Sequence, residues 1–542
     1  MSSPYVPPEP TVARRRHRRR RRHRRLLIAA VVVVALCVVI AGGGLAYIAY
    51  RYHQVRKVSV AGLDTPNTSV SSENILLVGD NSRCALQKYK SFYQKNASHF
   101  GTCASSGAPN SVGGARSDVV MVLHLDPATH TAALLSLPRD LWLPMPGGNG
   151  LELRVDDALN SAETPYLHLP FGPTLLVKTV EQDLGIPIAH YIEVNFYTFE
   201  QVVNTLGGVN LSFPTELKDH YSGLRITKTG CQHLDGAQAL QLVRARHLYY
   251  LDHGVWKYDG TGDLGRIKRT HIFMRVLASE IQKRALGNPL TANALLGSIL
   301  PDLKVDQSFS LADMLHLVLD FHHVSAATVP ANTLPVVIDA AAYHDLSNPS
   351  NYQSPGQVVF PFQPQDQSII DQTLGSSAST SWKNLPASSI SVSVLNGTGQ
   401  SGQASATSAA LKALGFDVTG TGSTTPGGNP TETVVRYAPG HIQEAEKVLS
   451  EISGEAVMGQ GGTTNGADVT VVTGTAFTVA SPSSSTTPTS SSSSSTSGTG
   501  ASGSGNASAT GSSTVSQLAA NDLWTAHHSR SEFWWDPTAC PS

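Results

Sequence analysis

Cysteine is scarce: the 542 residues hold five, none at the close spacings of zinc sites, which excludes a zinc finger or ribbon. Charge is scarce too, at 15% of residues. Acid is nearly missing from the first 50 residues, where Glu9 stands alone against ten arginines between Arg14 and Arg25. Beyond residue 50, 29 basic and 39 acidic residues remain. That acidic balance argues against a nucleic-acid-binding body.

Charge is absent from Leu26 to Tyr50, an apolar run long enough to cross a bilayer. Clustered cations stay on the cytoplasmic side. The expectation is therefore a cell-membrane protein with a single pass: a cytoplasmic Arg-rich arm at 1–25, a transmembrane helix at 26–50, and the rest outside. A cleaved signal peptide is the alternative, with Ala41 to Ala46 as the small-residue stretch. Beside a span, the arginines read as a topology signal and a contact for anionic lipid. Cys84, Cys103, Cys231 and Cys540 then face an oxidising side, where disulfides persist. Of the three pairings, Cys84–Cys103 with Cys231–Cys540 is the simplest.

The chain after the span divides by composition. Residues 51–73 form a stalk, and 74–330 alternate strand and helix patterns. Residues 331–387, rich in Pro, Gln and Ser, read as an irregular extension. A small second α/β domain follows at 388–478, then a Ser/Thr/Gly-rich linker at 479–517 and a tail at 518–542 containing Phe533-Trp534-Trp535. The first domain reads as an α/β/α sandwich with a mixed central sheet. Its strand signals are Asn74 to Gly79, His190 to Phe196 and Val209 to Phe213. Its helix signals include Thr174 to Leu184, Leu234 to Val243 and Gly262 to about Arg284.

Residues 116 to 140 organise this domain. Two β-prone runs flank a polar stretch with Pro127, which reads as a hairpin. A turn near Pro127 to Thr129 would bring Asp118 roughly opposite Arg139, gathering Arg116, Asp118, Arg139 and Asp140 at one sheet edge. Taken alone, such a group reads equally as strand-end ion pairs. Arg83, Arg244, Arg246, Arg266 and Arg269 also stand where elements begin or end, and arginines focused in a net acidic body suggest an anion site.

Several segments in order resemble the LytR-CpsA-Psr family. They are Asn74–Gly79 with Ser82-Arg83, Arg116-Ser117-Asp118, Leu135–Asp140, Leu206-Gly207-Gly208-Val209, Leu234–Leu240 with Arg244-Ala245-Arg246-His247, and Gly262–Arg269. Residues 388–478 resemble the accessory C-terminal domain of many actinobacterial members. The resemblance implies a membrane-anchored extracytoplasmic phosphotransferase. Such enzymes transfer a glycopolymer from a polyprenyl-pyrophosphate carrier to peptidoglycan, and the resemblance to actinobacterial members points to an arabinogalactan-like polymer. It implies Mg²⁺ (or Mn²⁺) held with the help of Asp118. It implies pyrophosphate contacts from Arg83, Arg116, Arg139, Arg244, Arg246, Arg266 and Arg269, and catalytic roles for Arg116, Asp118, Arg139 and Asp140. No nucleic acid is expected as a partner.

Two positions depart from the family pattern. Its Gly-x-Asp-x-Arg reads Gly79-Asp80-Asn81-Ser82-Arg83, so either Asp80 takes the metal role after a one-residue shift or Asn81 coordinates through its amide oxygen. The family's Gln after Arg266 is Thr270, which still offers a hydrogen bond. Two rival readings are a polyprenyl-pyrophosphate hydrolase and a non-catalytic scaffold that binds glycan and carrier lipid.

Overall fold

The computed structural model describes residues 47, 49–64, 71–82, 86–92, 94, 116–148, 151–159, 169–285, 288–325, 328–339, 343–344, 352–353, 358–363, 365–375, 380–424, 432–475, 477–480 and 533–541. Among these no helix is long and apolar enough to cross a membrane. The apolar run through Ala46, the Cys84–Cys103 pair and Arg83 lie outside the described residues. The chain divides into two compact units, Met1–Arg56 and Lys57–Ser542. In the first, the described part includes a helical stretch at 49–52.

The main sheet of the second unit is mixed. Lys304–Asp306 pairs antiparallel with His190–Asn195, which runs parallel to Glu73–Asp80. Glu73–Asp80 pairs antiparallel with Ser117–Asp126, which forms the expected hairpin with Thr131–Leu137. Ala331–Thr333 adds in parallel beyond it. Glu73–Asp80 is central and buried along most of its length, which is why its sequence is a near-continuous apolar run rather than an alternation.

One face of the sheet presents Leu76, Val78, Val120, Val122, Leu135 and Leu137 to a core shared with Leu176 and Val180 of the helix Pro173–Leu184. On the opposite face, Ser136 shares a 2.6 Å hydrogen bond with His271 of the helix Gly262–Ala285. The α/β/α sandwich follows. A second apolar cluster lies among the helices Phe196–Thr205, Gly236–Arg244 and Gly262–Ala285 and the strand Val209–Phe213.

Two expected elements change. Leu234 ends the strand Gly230–Leu234 instead of opening a helix; the helix starts after Asp235, whose side chain accepts from Gln238 N while Gln238 returns a bond to Asp235 N. This capping box fixes the start. Residues 331–387 are not irregular either. Beyond Ala331–Thr333 they contain the strands Val336–Asp339 and Val358–Gln363 and the helix Gln365–Leu374. The polar composition around Val358–Phe362 masked a strand that pairs with Ile452–Gln460 of the second sheet.

That second sheet contains Ser391–Asn396, Asp417–Ser423, Thr433–Tyr437, Ile452–Gln460 and Val469–Thr473. Its Val434, Val457 and Val472 belong to the same apolar cluster as Leu143, Leu176 and Val180. The tail returns to the first domain. Thr538–Ala539 pairs with Val209–Phe213, and Cys540 sits against Cys231 with Cα atoms 5.6 Å apart.

Candidate active site

The hairpin register pairs Val120 with Leu137 and Asp126 with Thr131, so Asp118 continues opposite Arg139. Their side chains meet, with Arg139 Nη1 at 2.5 Å from Asp118 Oδ1. On its other side the strand is bulged. Gly79 pairs with Val119 and Asp80 with Ser117, which leaves Asp118 as the extra, unpaired residue. Bulges re-aim side chains beside functional sites. Here the freed Asp118 carbonyl accepts from Arg266 Nη1.

Arg266 reaches this point because the long helix begins close by. Thr261 packs against Gly265 so tightly that a Cβ there would collide with the threonine hydroxyl. One turn in, Arg266 pairs with Asp263 at 3.0 Å. Arg139 is the hub: its Nε lies 3.6 Å from both Asp140 and Asp263, and its Nη1 lies 3.9 Å from Asp156. Arg154 approaches Asp140 at 3.7 Å, and Arg116 pairs with Asp157 at 2.8 Å.

Electrostatics sorts these groups. Burial pushes the Asp118 carboxyl up, but Arg139, Arg266, Arg246 and Arg244 together outweigh it and hold it well below the usual carboxylate range. Asp140 is raised, by burial first, with Arg139 opposing and Asp263 adding to the rise. Asp156 is pushed up to about 8 by burial and then by Asp157. Arg246 is lowered by burial and then by the like charge of Arg139. Among the described residues Arg246 makes no hydrogen bond or close ion pair; Asp118 and Asp263 attract its guanidinium while Arg139 and Arg266 repel it. Arg244 lies over the Phe196 ring, 4.9 Å from its centroid.

Arg116, Asp118, Arg139, Asp140, Arg244, Arg246 and Arg266 are therefore gathered at one edge of the sheet. Arg269 and Thr270 are not with them. Arg269 is fully buried and holds Asp259 at 2.9 Å, Asp536 of the tail at 3.4 Å and the Ala245 carbonyl at 2.9 Å. Its place on the helix, one turn past Arg266, points it into the packing against the tail. Thr270 is buried and donates to the Arg266 carbonyl of its own helix at 2.9 Å. Both leave the set of expected anion contacts.

Asp80 and Asn81 also separate. Asp80 accepts from Ser82 N at 2.7 Å and lies 3.7 Å from Lys304 Nζ. Burial, then the Glu193 charge, push its carboxyl up to about 7 against the pull of Lys304. Asn81 donates its backbone N–H to the Arg116 carbonyl at 3.0 Å, and its buried side-chain Oδ1 meets no hydrogen-bond donor among the described residues.

Asp156, Asp157, Arg154 and Asp263 were missed in the sequence reading. The first two lie in a single 3-10 turn, Val155–Leu159, too short for any periodicity. Their one signal is a pair of adjacent acids two residues after Arg154.

The fold and site define an α/β/α protein with an arginine-rich, carboxylate-buttressed edge suited to a phosphorylated ligand. The chain belongs to the LytR_cpsA_psr family, which it matches over residues 47–358; residues 389–477 match a second family, the LytR cell envelope-related transcriptional attenuator. It is 29% identical over 296 residues to a probable cell wall biosynthesis protein, LcpB, of Corynebacterium glutamicum, covering 54% of this chain and 61% of that protein. It is 31% identical over 211 residues to a polyisoprenyl-teichoic acid–peptidoglycan teichoic acid transferase, TagU, of Enterococcus faecalis, covering 38% of this chain and 59% of the relative. The chain thus spans about three fifths of these relatives. A LytR-Csp2A-Psr enzyme from Actinomyces oris superposes with a TM-score of 0.42 at 20% identity, over 60% of this chain and 97% of that one.

Proposed function

We propose that this chain is a phosphotransferase that moves a glycopolymer from a polyprenyl-pyrophosphate carrier onto a peptidoglycan hydroxyl. The observation that carries the reading is Arg246, an uncommitted guanidinium beside Asp118, Arg139 and Arg266. An anion seated there relieves the mutual repulsion of Arg246 and Arg139, and a pyrophosphate diester has the matching charge. The names of the relatives support the same substrate class.

The acceptor oxygen forms a bond to the glycan-linked phosphorus, the pyrophosphate P–O bond breaks, and polyprenyl phosphate leaves. The acceptor proton needs a base. Asp118, held ionised by four arginines, is a weak one, whereas Asp140, with its raised carboxyl, is better suited.

The residues fit a divalent cation completed by substrate oxygens. Among the described residues there is no cluster of three or more His, Cys, Asp or Glu that would cage a metal. Mg²⁺, however, typically takes one or two protein oxygens plus phosphates and water. Asp118 supplies a carboxylate and Asn81 an otherwise unpartnered buried oxygen, while Asp80 is engaged with Lys304 and Glu193. When bound, the cation would neutralise charge on the leaving phosphate. The same reading includes a single-pass N-terminal anchor with the bulk of the chain outside the membrane, and a covalent Cys231–Cys540 bond there.

The test incubates the full chain in detergent with a short glycan-pyrophosphate-polyprenol, Mg²⁺ and soluble peptidoglycan fragments. Covalent transfer is expected. Cleavage without transfer would make the protein a hydrolase, and binding without turnover a scaffold.

A further inference from the structure

The small sheet that follows Arg246 is built inside out. Tyr249–Asp252 pairs with Val255–Tyr258 on one side and with Leu217–Asp219 on the other, and Leu224–Ile226 pairs with Leu217–Asp219. In an antiparallel sheet, directly paired residues point to the same face. Leu217, Leu224 and Ile226 are buried on one face, where Tyr250 stacks on Trp535 of the tail with ring centroids 4.1 Å apart. The other face should be polar. Instead it carries Tyr249, Trp256 and Tyr258, which are 39%, 36% and 49% exposed.

Their rings form a connected surface. Tyr249 and Tyr258 have centroids 5.2 Å apart, and the Lys218 ammonium lies 3.9 Å from the Trp256 centroid. Arg225, paired with Lys218, extends the same face with a second exposed cation. A hollow of about 480 Å³ opens between Lys218, Arg225, Tyr249 and Trp256. Exposed aromatics in a contiguous group mark a binding surface rather than a fold requirement.

Resting on the function proposed above, we infer that this face is the docking platform for the acceptor: a peptidoglycan glycan strand laid across Trp256, Tyr258 and Tyr249. Three features favour this occupant. Pyranose rings present an apolar C–H face that stacks on aromatic rings, while their hydroxyls stay hydrated at a wet edge. Lys218 and Arg225 complement the lactyl and stem-peptide carboxylates of such a strand, and no neutral polymer needs them. Position is the third feature: Tyr249 follows Arg246 by three residues, within about 10 Å even for fully extended chain. The platform is thus tethered to the phosphate seat by three residues of chain.

The test titrates the full chain with a soluble tetrasaccharide of alternating N-acetylglucosamine and N-acetylmuramic acid, following tryptophan fluorescence and binding heat. Chitotetraose serves as the neutral control and inorganic pyrophosphate as the probe of the arginine site. The muramyl tetrasaccharide should bind more tightly than chitotetraose. Trp256→Ala should weaken it by about tenfold, the scale of losing one aromatic anchor, with pyrophosphate affinity unchanged. Lys218→Gln with Arg225→Gln should erase the preference over chitotetraose.

Unaltered tetrasaccharide affinity in a Trp256→Ala protein of native melting temperature would overturn the platform. So would wild-type affinities that do not favour the muramyl ligand, or a dimer in sedimentation that Trp256→Ala dissolves, since the face would then be a contact between copies. Loss of pyrophosphate binding in the wild type, with tetrasaccharide binding intact, would instead sink the phosphotransferase reading and leave the glycan site standing.

Discussion

Arg246 and Arg269 bring the same side chain into opposite circumstances. Arg246 makes no hydrogen bond or close ion pair among the described residues and feels Asp118 and Asp263 only through space, while Arg269 is buried between Asp259 and Asp536. Replacing each with alanine should therefore fail differently. Arg246→Ala is expected to weaken pyrophosphate binding and cut transfer by about 100-fold, the usual loss when a charge-stabilising donor is removed, with little change in melting temperature. Arg269→Ala strands two buried carboxylates and should cost about 3–5 kcal/mol of stability, seen in urea unfolding, before any question of catalysis. Both arginines lie in motifs legible in the sequence; what was not legible is that one turn of helix separates Arg266 from a neighbour that serves packing alone.

Asn81 poses the complementary question. If its orphaned Oδ1 faces the cation, Asn81→Asp should melt at lower temperature than wild type without Mg²⁺, because a second carboxylate joins Asp118. Added Mg²⁺ should then raise its melting temperature more than that of wild type. Equal Mg²⁺ responses in the two proteins would remove Asn81 from the metal site. The residue pattern left Asp80 and Asn81 tied. Only the Lys304 and Glu193 partners of Asp80, brought in from distant strands, separate them.

At the scale of elements, the site is an assembly of ends: a bulged strand, a hairpin terminus, a helix start and a 3-10 turn. The hairpin could be read from two apolar runs and a polar turn, and its register followed from the turn position. The bulge at Gly79/Asp80 could not, because it falls at the polar end of Ser117–Asp126, where no apolar alternation remains for the extra residue to break. The capping box of Asp235 and Gln238 was present in the sequence as Asp-x-x-Gln but was passed over in favour of the apolar Leu234. Asp235→Ala should destabilise the protein by about 1 kcal/mol.

The tail is a further element whose placement depends on distant partners. Trp535 stacks on Tyr250, Asp536 meets Arg269 and Cys540 sits against Cys231. Cys540→Ser should free the tail to proteases and lower stability by about 2–5 kcal/mol if the pair is covalent. An unchanged digestion pattern and melting temperature would count against that bond.

Across the whole molecule, the first domain and the C-terminal sheet share one apolar cluster, and a Cβ on Gly459 would come within 2.5 Å of Pro144 Cβ. Composition suggested separate modules because it registers linkers, not contacts between sheets. Packing of this kind predicts that residues 57–480 unfold in one transition. The seam also buries acid. Asp183 is raised well above the usual range by burial and Glu152, while burial pushes Asp366 to about 7 and Glu446 to about 8.

Unfolded carboxyls titrate near 4, so above that pH the folded seam retains protons that the unfolded chain has released. Stability is then lost as pH rises from about 4 to about 8. Asp80, Asp156 and Glu181, also raised, act in the same direction. The melting temperature should accordingly fall between pH 5.5 and pH 8.5, with a single transition throughout. Asp183→Asn combined with Glu446→Gln should flatten that slope without abolishing it. A double variant with the wild-type slope would place the titrating groups elsewhere, and two resolved transitions would mean that the shared cluster does not couple the sheets.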